Sequence, residues 1–175
     1  MFNVKTMLSL QGRSWRQFAA LLLGVFILCA VNYTIAQREK LLQEGRVVLL
    51  ELAPVDPRSL MQGDYMALRF QIANVALNRA QNSASEDGYL LASLDEHGVA
   101  QFKRRLQQRE PVGENEVLLR YRVRHHVAKF ATNAYFFQEG KAQLYAKANY
   151  GEFRVASDGE MLLTGLRTPD FQRIE

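Results

Sequence analysis

Between Phe18 and Ala36 the chain reads FAALLLGVFILCAVNYTIA, nineteen residues without a charge. As an α-helix rising about 1.5 Å per residue, this run extends roughly 28 Å, close to the hydrocarbon thickness of a bilayer. Trp15 and Tyr33 lie near its ends, where amphipathic rings favour the membrane–water boundary. A buried helix of a soluble domain rarely stays uncharged for so long, so the run predicts a transmembrane helix. The competing reading is a cleaved signal peptide. Lys5, Arg13 and Arg16 suit a basic leader, and Thr34-Ile35-Ala36 could precede a cut. Against cleavage, the apolar run exceeds an h-region of about 7–15 residues, and Asn32 and Tyr33 interrupt its end. Cys29 follows Phe26-Ile27-Leu28 and lacks the small residues of a lipoprotein signal. An uncleaved signal anchor is the expectation, with cleavage the open alternative.

Three basic residues precede the span, and Arg38, Lys40 and Arg46 follow it, so the positive-inside count is nearly tied. A short leading tail favours a cytoplasmic N-terminus, with the main domain periplasmic and the anchor a single pass of a bacterial inner membrane. The only cysteine lies inside the span, which leaves the exported part without a disulfide. The formal charge of +4 comes mostly from the leading tail. Residues 37–175 hold 19 basic and 18 acidic side chains, a net of +1. Nucleic-acid-binding domains carry a clear basic excess of their own, so no nucleic-acid partner is expected.

Beyond the anchor the hydrophobic period changes. Four segments follow: a basic tail (1–17), the transmembrane helix (18–36), a helical linker (37–45) ending at Gly45, and a β-rich extracytoplasmic domain (46–175). Strands are predicted at 46–52, 64–72, 88–94, 99–106, 116–124, 151–156 and 161–166. Asp95-Glu96-His97-Gly98 and Ser157-Asp158-Gly159-Glu160 read as hairpin turns. In 116–124, Val117, Leu119, Tyr121 and Val123 take one face, and Arg120, Arg122 and Arg124 the other. Residues 73–87 predict a short helical turn followed by a loop. Residues 138–149 predict a short helix with Phe137, Leu144 and Ala148 on one face. The fold class is mainly β (α+β): one transmembrane helix followed by a small β-rich domain with one short helix.

Within MQGDYMALRF (61–70), a strand opening at Asp64 sends Asp64, Met66, Leu68, Phe70 and Ile72 to one face. Tyr65, Ala67, Arg69 and Gln71 take the other. Leu68 and Phe70 are therefore candidate core residues. Gly63 supplies freedom at the turn, and the Asp64 carboxylate is placed to accept amide hydrogen bonds from 57–62. Tyr65 and Arg69, on the face away from the core, are candidate partner contacts.

Gly63-Asp64-Tyr65-Met66-Ala67-Leu68-Arg69-Phe70 resembles the motif of the GDYXXLXY family of membrane-anchored bacterial proteins, with Phe70 where the pattern ends in tyrosine. Asp56-Pro57-Arg58-Ser59-Leu60, Tyr135-Phe136-Phe137-Gln138-Glu139-Gly140 and Tyr150-Gly151-Glu152-Phe153 are similar to the family as well. The resemblance implies an integral membrane protein with no assigned catalytic residue and a multi-pass membrane protein as possible partner. It adds Arg58, Glu139, Tyr150 and Glu152 to the possible partner contacts.

The anchor, Ser59-Leu60-Met61-Gln62-Gly63-Asp64 and Phe102-Lys103-Arg104 also resemble membrane signal peptidases at low resolution. Such enzymes need a desolvated lysine within hydrogen-bond reach of the nucleophilic serine. Here no proline follows the Ser-Met pattern, and Lys103 lies in a basic run with Arg104 and Arg105. His125 and His126 point to opposite faces of a strand, and no cysteine or further histidine supplies zinc spacing. A glutamate–arginine cluster of Glu139, Glu152 and Arg154 near Tyr150 is expected from cross-strand pairing. No catalytic residue, cofactor or metal is expected. The expected function is a non-enzymatic envelope domain that binds a membrane-protein partner, with a signal-peptidase-like Ser/Lys envelope hydrolase built around Ser59 and Asp64 as the alternative.

Overall fold

The computed structural model describes residues 4–53, 65–78, 87–124, 127–132 and 134–174. The chain divides into two compact units, Met1–Lys40 and Leu41–Glu175. The first is helical throughout its described part, within helix α1 (Val4–Glu44). The helix contains a segment long and apolar enough to cross a membrane. Its large apolar side chains stand exposed, Phe26 at 69% and Leu28 at 63%. Two polar residues near the end of the run, Asn32 and Thr34, bond to the helix itself. Asn32 Nδ2 donates to the Leu28 carbonyl and Thr34 Oγ1 to the Ala30 carbonyl, both at 2.9 Å. Such bonds to the helix's own backbone make asparagine and threonine tolerable in hydrocarbon. The helix ends where glycine was expected to end it, with Gly45 N donating to the Leu41 carbonyl at 3.0 Å.

In the second unit, β1 (Arg46–Glu51) pairs antiparallel with β8 (Tyr150–Val155), β8 with β9 (Met161–Arg167), and β9 with β10 (Arg173–Ile174). A second sheet has the order β4 (Ala100–Leu106), β3 (Gly88–Leu94), β5 (Glu116–Arg124), β6 (Val127–Lys129). A parallel bridge between Leu49 and Val99 joins the two at one margin. A short ribbon pairs β2 (Tyr65–Ala67) with β7 (Ala134–Phe136). Helices α2 (Gln71–Asn78) and α3 (Ala142–Tyr145) complete the unit. The fold is thus mainly β with short helices, as the alternating patterns indicated.

One core serves both sheets. Val48, Leu50, Phe153 and Val155 meet Leu90, Ala92, Val117, Leu119, Tyr121 and Val123. On β5, Arg120 and Arg122 point outward while the alternate residues are buried, which is the predicted period-2 division. Leu91, Leu106 and Leu118 form a smaller cluster with Tyr89 on the opposite face of the second sheet. Each fully buried leucine or phenylalanine contributes roughly 1.5–3 kcal/mol of transfer free energy, so these few positions dominate the stability of the unit.

Two expectations are corrected. Among the described residues, the strand expected over 64–72 holds only at Tyr65–Ala67, and the chain then enters α2 at Gln71. Phe70 still bridges Leu52, but its carbonyl accepts from Ala73 N at 3.1 Å and turns the backbone into a helix. Ile72, Ala73 and Ala76 are buried at helical spacing, and Ile72 also satisfies the period-2 pattern, which is why the strand reading ran too far. The helix expected over 138–149 shrinks to Ala142–Tyr145. Leu144, expected inward, is 41% exposed, and Tyr145 is buried instead. Asn149 N donates to the Arg167 carbonyl at 2.8 Å, so the sheet captures the chain before the helix can continue. The short helices number two, not one, among the described residues.

Candidate functional site

Three stretches far apart in sequence converge around Phe70. In the ribbon, Tyr65 pairs with Phe136, Met66 with Tyr135 and Ala67 with Ala134. Residues 65–67 of MQGDYMALRF and residues 134–136, which lead into YFFQEG, are therefore cross-strand partners. Phe70 (1% exposed) points into the core, its ring edge-on to Phe153 at 5.4 Å and to Phe130 at 5.7 Å. The third stretch, Tyr150-Gly151-Glu152-Phe153, supplies the wall. A Cβ on Gly151 would stand 3.1 Å from Phe70 Cε1 and 3.1 Å from a Phe153 ring carbon, so glycine is what admits the phenylalanine. Leu68 is buried beside Phe70. Arg58, Gly63 and Asp64, together with Ser59, His125 and His126, lie outside the described residues.

The other side of the ribbon faces outward. Tyr65 is half-buried and its ring leans on Phe136 at 5.8 Å, while Phe136 is 75% exposed. Arg69 is exposed too. The short helix does not cover Tyr65. Its buried Tyr145 packs on Tyr135 at 5.2 Å and Phe137 at 5.0 Å. Burial raises the Tyr135 hydroxyl above its usual pKa, and the hydrogen bond and charge of Tyr145 add to this against a smaller opposing effect of Arg173.

Glu152 is buried at 4% exposure, and its partners are not those expected. Arg154 instead donates to the Gly45 carbonyl at 2.9 Å, and Glu139 sits exposed in the turn closed by Gly140. Arg167 Nε donates to Glu152 Oε2 at 2.6 Å, Thr164 Oγ1 donates to Oε1 at 3.0 Å, and Arg173 Nη1 lies 3.9 Å from Oε1. Local backbone geometry assembles this cluster. Glu152 pairs with Gly165 but Phe153 pairs with Leu163, so Thr164 is the extra residue of a β-bulge, its hydroxyl turned onto the carboxylate. A Cβ on Gly165 would come within 3.2 Å of Arg173 Nε, so its absence gives that guanidinium room.

Burial pushes the Glu152 carboxyl up. The Arg167 and Thr164 hydrogen bonds and the charges of Arg167 and Arg173 outweigh it, holding the group below the usual carboxylate range. A carboxylate so engaged does not serve as a free general base; it ties β8, β9 and β10 together. Arg167 and Arg173 were missed as its partners, although the isolated glycine in MLLTGLR is itself a signal for a bulge or a close approach.

The cluster also fixes an aromatic pair. Arg167 Nη1 donates to the Phe171 carbonyl at 2.8 Å, and Phe171 adopts a φ of 61°. A bulky residue there carries a strain of order 1–3 kcal/mol and needs such support. Its ring stacks on Tyr150 at 5.1 Å and meets the edge of His97 at 4.5 Å.

Lys103 is half exposed and donates to Glu116 Oε1 at 2.8 Å, as the bulged residue of β4 opposite Leu91/Ala92. A solvated, ion-paired ammonium is not the desolvated base that a Ser/Lys hydrolase needs.

No curated protein and no solved structure matches the chain. A model of the GDYXXLXY protein family matches residues 27–166, which takes in part of the apolar helix and all three converging stretches. With most of its length so matched, the chain belongs to the GDYXXLXY family.

Proposed function

We propose that the protein is a single-pass anchor of the bacterial inner membrane whose β-rich domain, on the periplasmic side, binds a membrane-protein partner and performs no catalysis. The observation that carries this reading is the division of labour in the family's own motif. Met66, Leu68 and Phe70 lock one side of it into the core, while half-buried Tyr65 and exposed Arg69 take the other side beside exposed Phe136 across the ribbon. Aromatic and arginine side chains are the usual anchors of protein interfaces, and an aromatic as exposed as Phe136 loses much apolar surface to water when a partner covers it. The hydrolase reading has less support, since Lys103 is paired with Glu116.

A photo-crosslinking residue placed at Phe136 in membranes should capture one discrete integral membrane protein, and the same probe at exposed Gln143 should not. Tyr65→Ala together with Phe136→Ala should abolish the crosslink, introduced then at Arg69, with little change in melting temperature. A large drop in melting temperature for the pair would mean that these rings are structural, and the reading would fail.

A further inference from the structure

We infer that the groove beside the Tyr150–Phe171 pair binds a cationic side chain, an arginine or lysine presented by a protein partner. The groove has a volume of about 300 Å³ and runs between the end of β1, the first turns of α2 and the start of β4. That is the small end of the range for ligand sites, suited to one long side chain rather than to a cofactor. Tyr150 and Phe171 form an aromatic wall, with their rings at an interplanar angle of 24°. Ile72 and Val75 supply an apolar floor for a methylene stem.

Its charge has one sign. Glu51 and Asp95 line the groove, and no lysine or arginine does among the described residues. With its nitrogen toward the carboxylate, the Gln71 amide lies 2.5 and 3.2 Å from the two Glu51 oxygens, which orients that acid without neutralising it. Asp95 Oδ1 accepts from His97 N at 2.9 Å and Val99 N at 2.8 Å, leaving Oδ2 without a hydrogen-bond partner among the described residues. Two carboxylates beside an aromatic wall complement a guanidinium or ammonium group, since carboxylates and aromatic π-systems both attract a cation. The strained Phe171, propped by Arg167, is the residue that completes the aromatic wall. None of Tyr65, Arg69 and Phe136 lines the groove, so this inference stands apart from the surface described above.

The test uses the full chain in deuterated neutral detergent, labelled at its four isoleucine δ-methyls, of which Ile72 reports on the groove. The probes are acetyl-Gly-Arg-Gly-amide and the same peptide with uncharged citrulline in place of arginine. The arginine peptide should shift the Ile72 methyl saturably, and the citrulline peptide should bind at least about tenfold more weakly. Glu51→Gln with Asp95→Asn should weaken the arginine peptide about tenfold, with the core Ile174 methyl unmoved as a check on folding. If Ile174 does move, Glu51→Gln alone should still weaken binding severalfold. No saturable shift, equal binding of the two peptides, or equal binding by wild type and the variant that folds would each overturn the inference.

Discussion

Glu152→Gln is the substitution that most directly probes why β8, β9 and β10 hold together. Glutamine keeps the shape of the side chain but removes the charge that Arg167 meets at 2.6 Å and Arg173 approaches at 3.9 Å. Breaking a buried ion pair costs about 3–5 kcal/mol, and losing a hydrogen bond to a charged group about 1.5–3 kcal/mol. The lower figures apply, because Arg167 and Arg173 have side chains 29% and 52% exposed and can recover water. A loss of about 2 kcal/mol follows, which lowers the melting temperature of a chain of this size by about 4–8 °C. The assay is thermal unfolding of the full chain in neutral detergent, followed by circular dichroism. The folded pKa of Glu152 lies below its unfolded value of about 4.3, so its stabilisation is fully present above that pH. It is lost as pH falls through the lower, folded pKa. The gap between wild type and variant should therefore be open at pH 7 and close in acid. A gap under about 1 °C at pH 7, or one that stays constant into strong acid, would refute the ionised, doubly paired carboxylate.

Two further outcomes test the core and the anchor. Gly151→Ala brings a methyl to 3.1 Å from the Phe70 and Phe153 rings, both locked in the core, and should cost about 1–3 kcal/mol in denaturant unfolding; an unchanged midpoint would show that the rings move freely. The protein should remain in the membrane fraction after carbonate extraction, with the apolar helix still attached, whereas recovery of a soluble species beginning near Gln37 would establish cleavage.

The sequence alone determined what depends on local period and on unmistakable punctuation. Nineteen uncharged residues could hardly read as anything but a long apolar helix, and Gly45 marked its end. Strands β1, β3, β4, β5, β8 and β9 were legible because period-2 alternation or a continuous apolar run survives in each, bounded by turn residues such as Asp158-Gly159. The placement of Leu68 and Phe70 in the core was legible for the same reason. Strands β6, β7 and β10 were not, since two or three residues carry no period and exist only because a neighbouring strand offers hydrogen bonds.

What only the tertiary structure decided is which distant residues meet. A glutamate every few positions admits many arginine partners, and the sequence grouped Glu152 with Glu139 and Arg154 without naming Arg167 or Arg173. The bulge at Thr164 and the missing Cβ of Gly165 select Arg167 and Arg173 instead, because they set where the next strand's side chains can reach. Tyr65 against Phe136, Phe70 against Gly151, and Phe171 against Tyr150 are contacts of the same kind. Each joins segments separated by 20 or more positions, and no local propensity records the order in which a sheet brings its strands together.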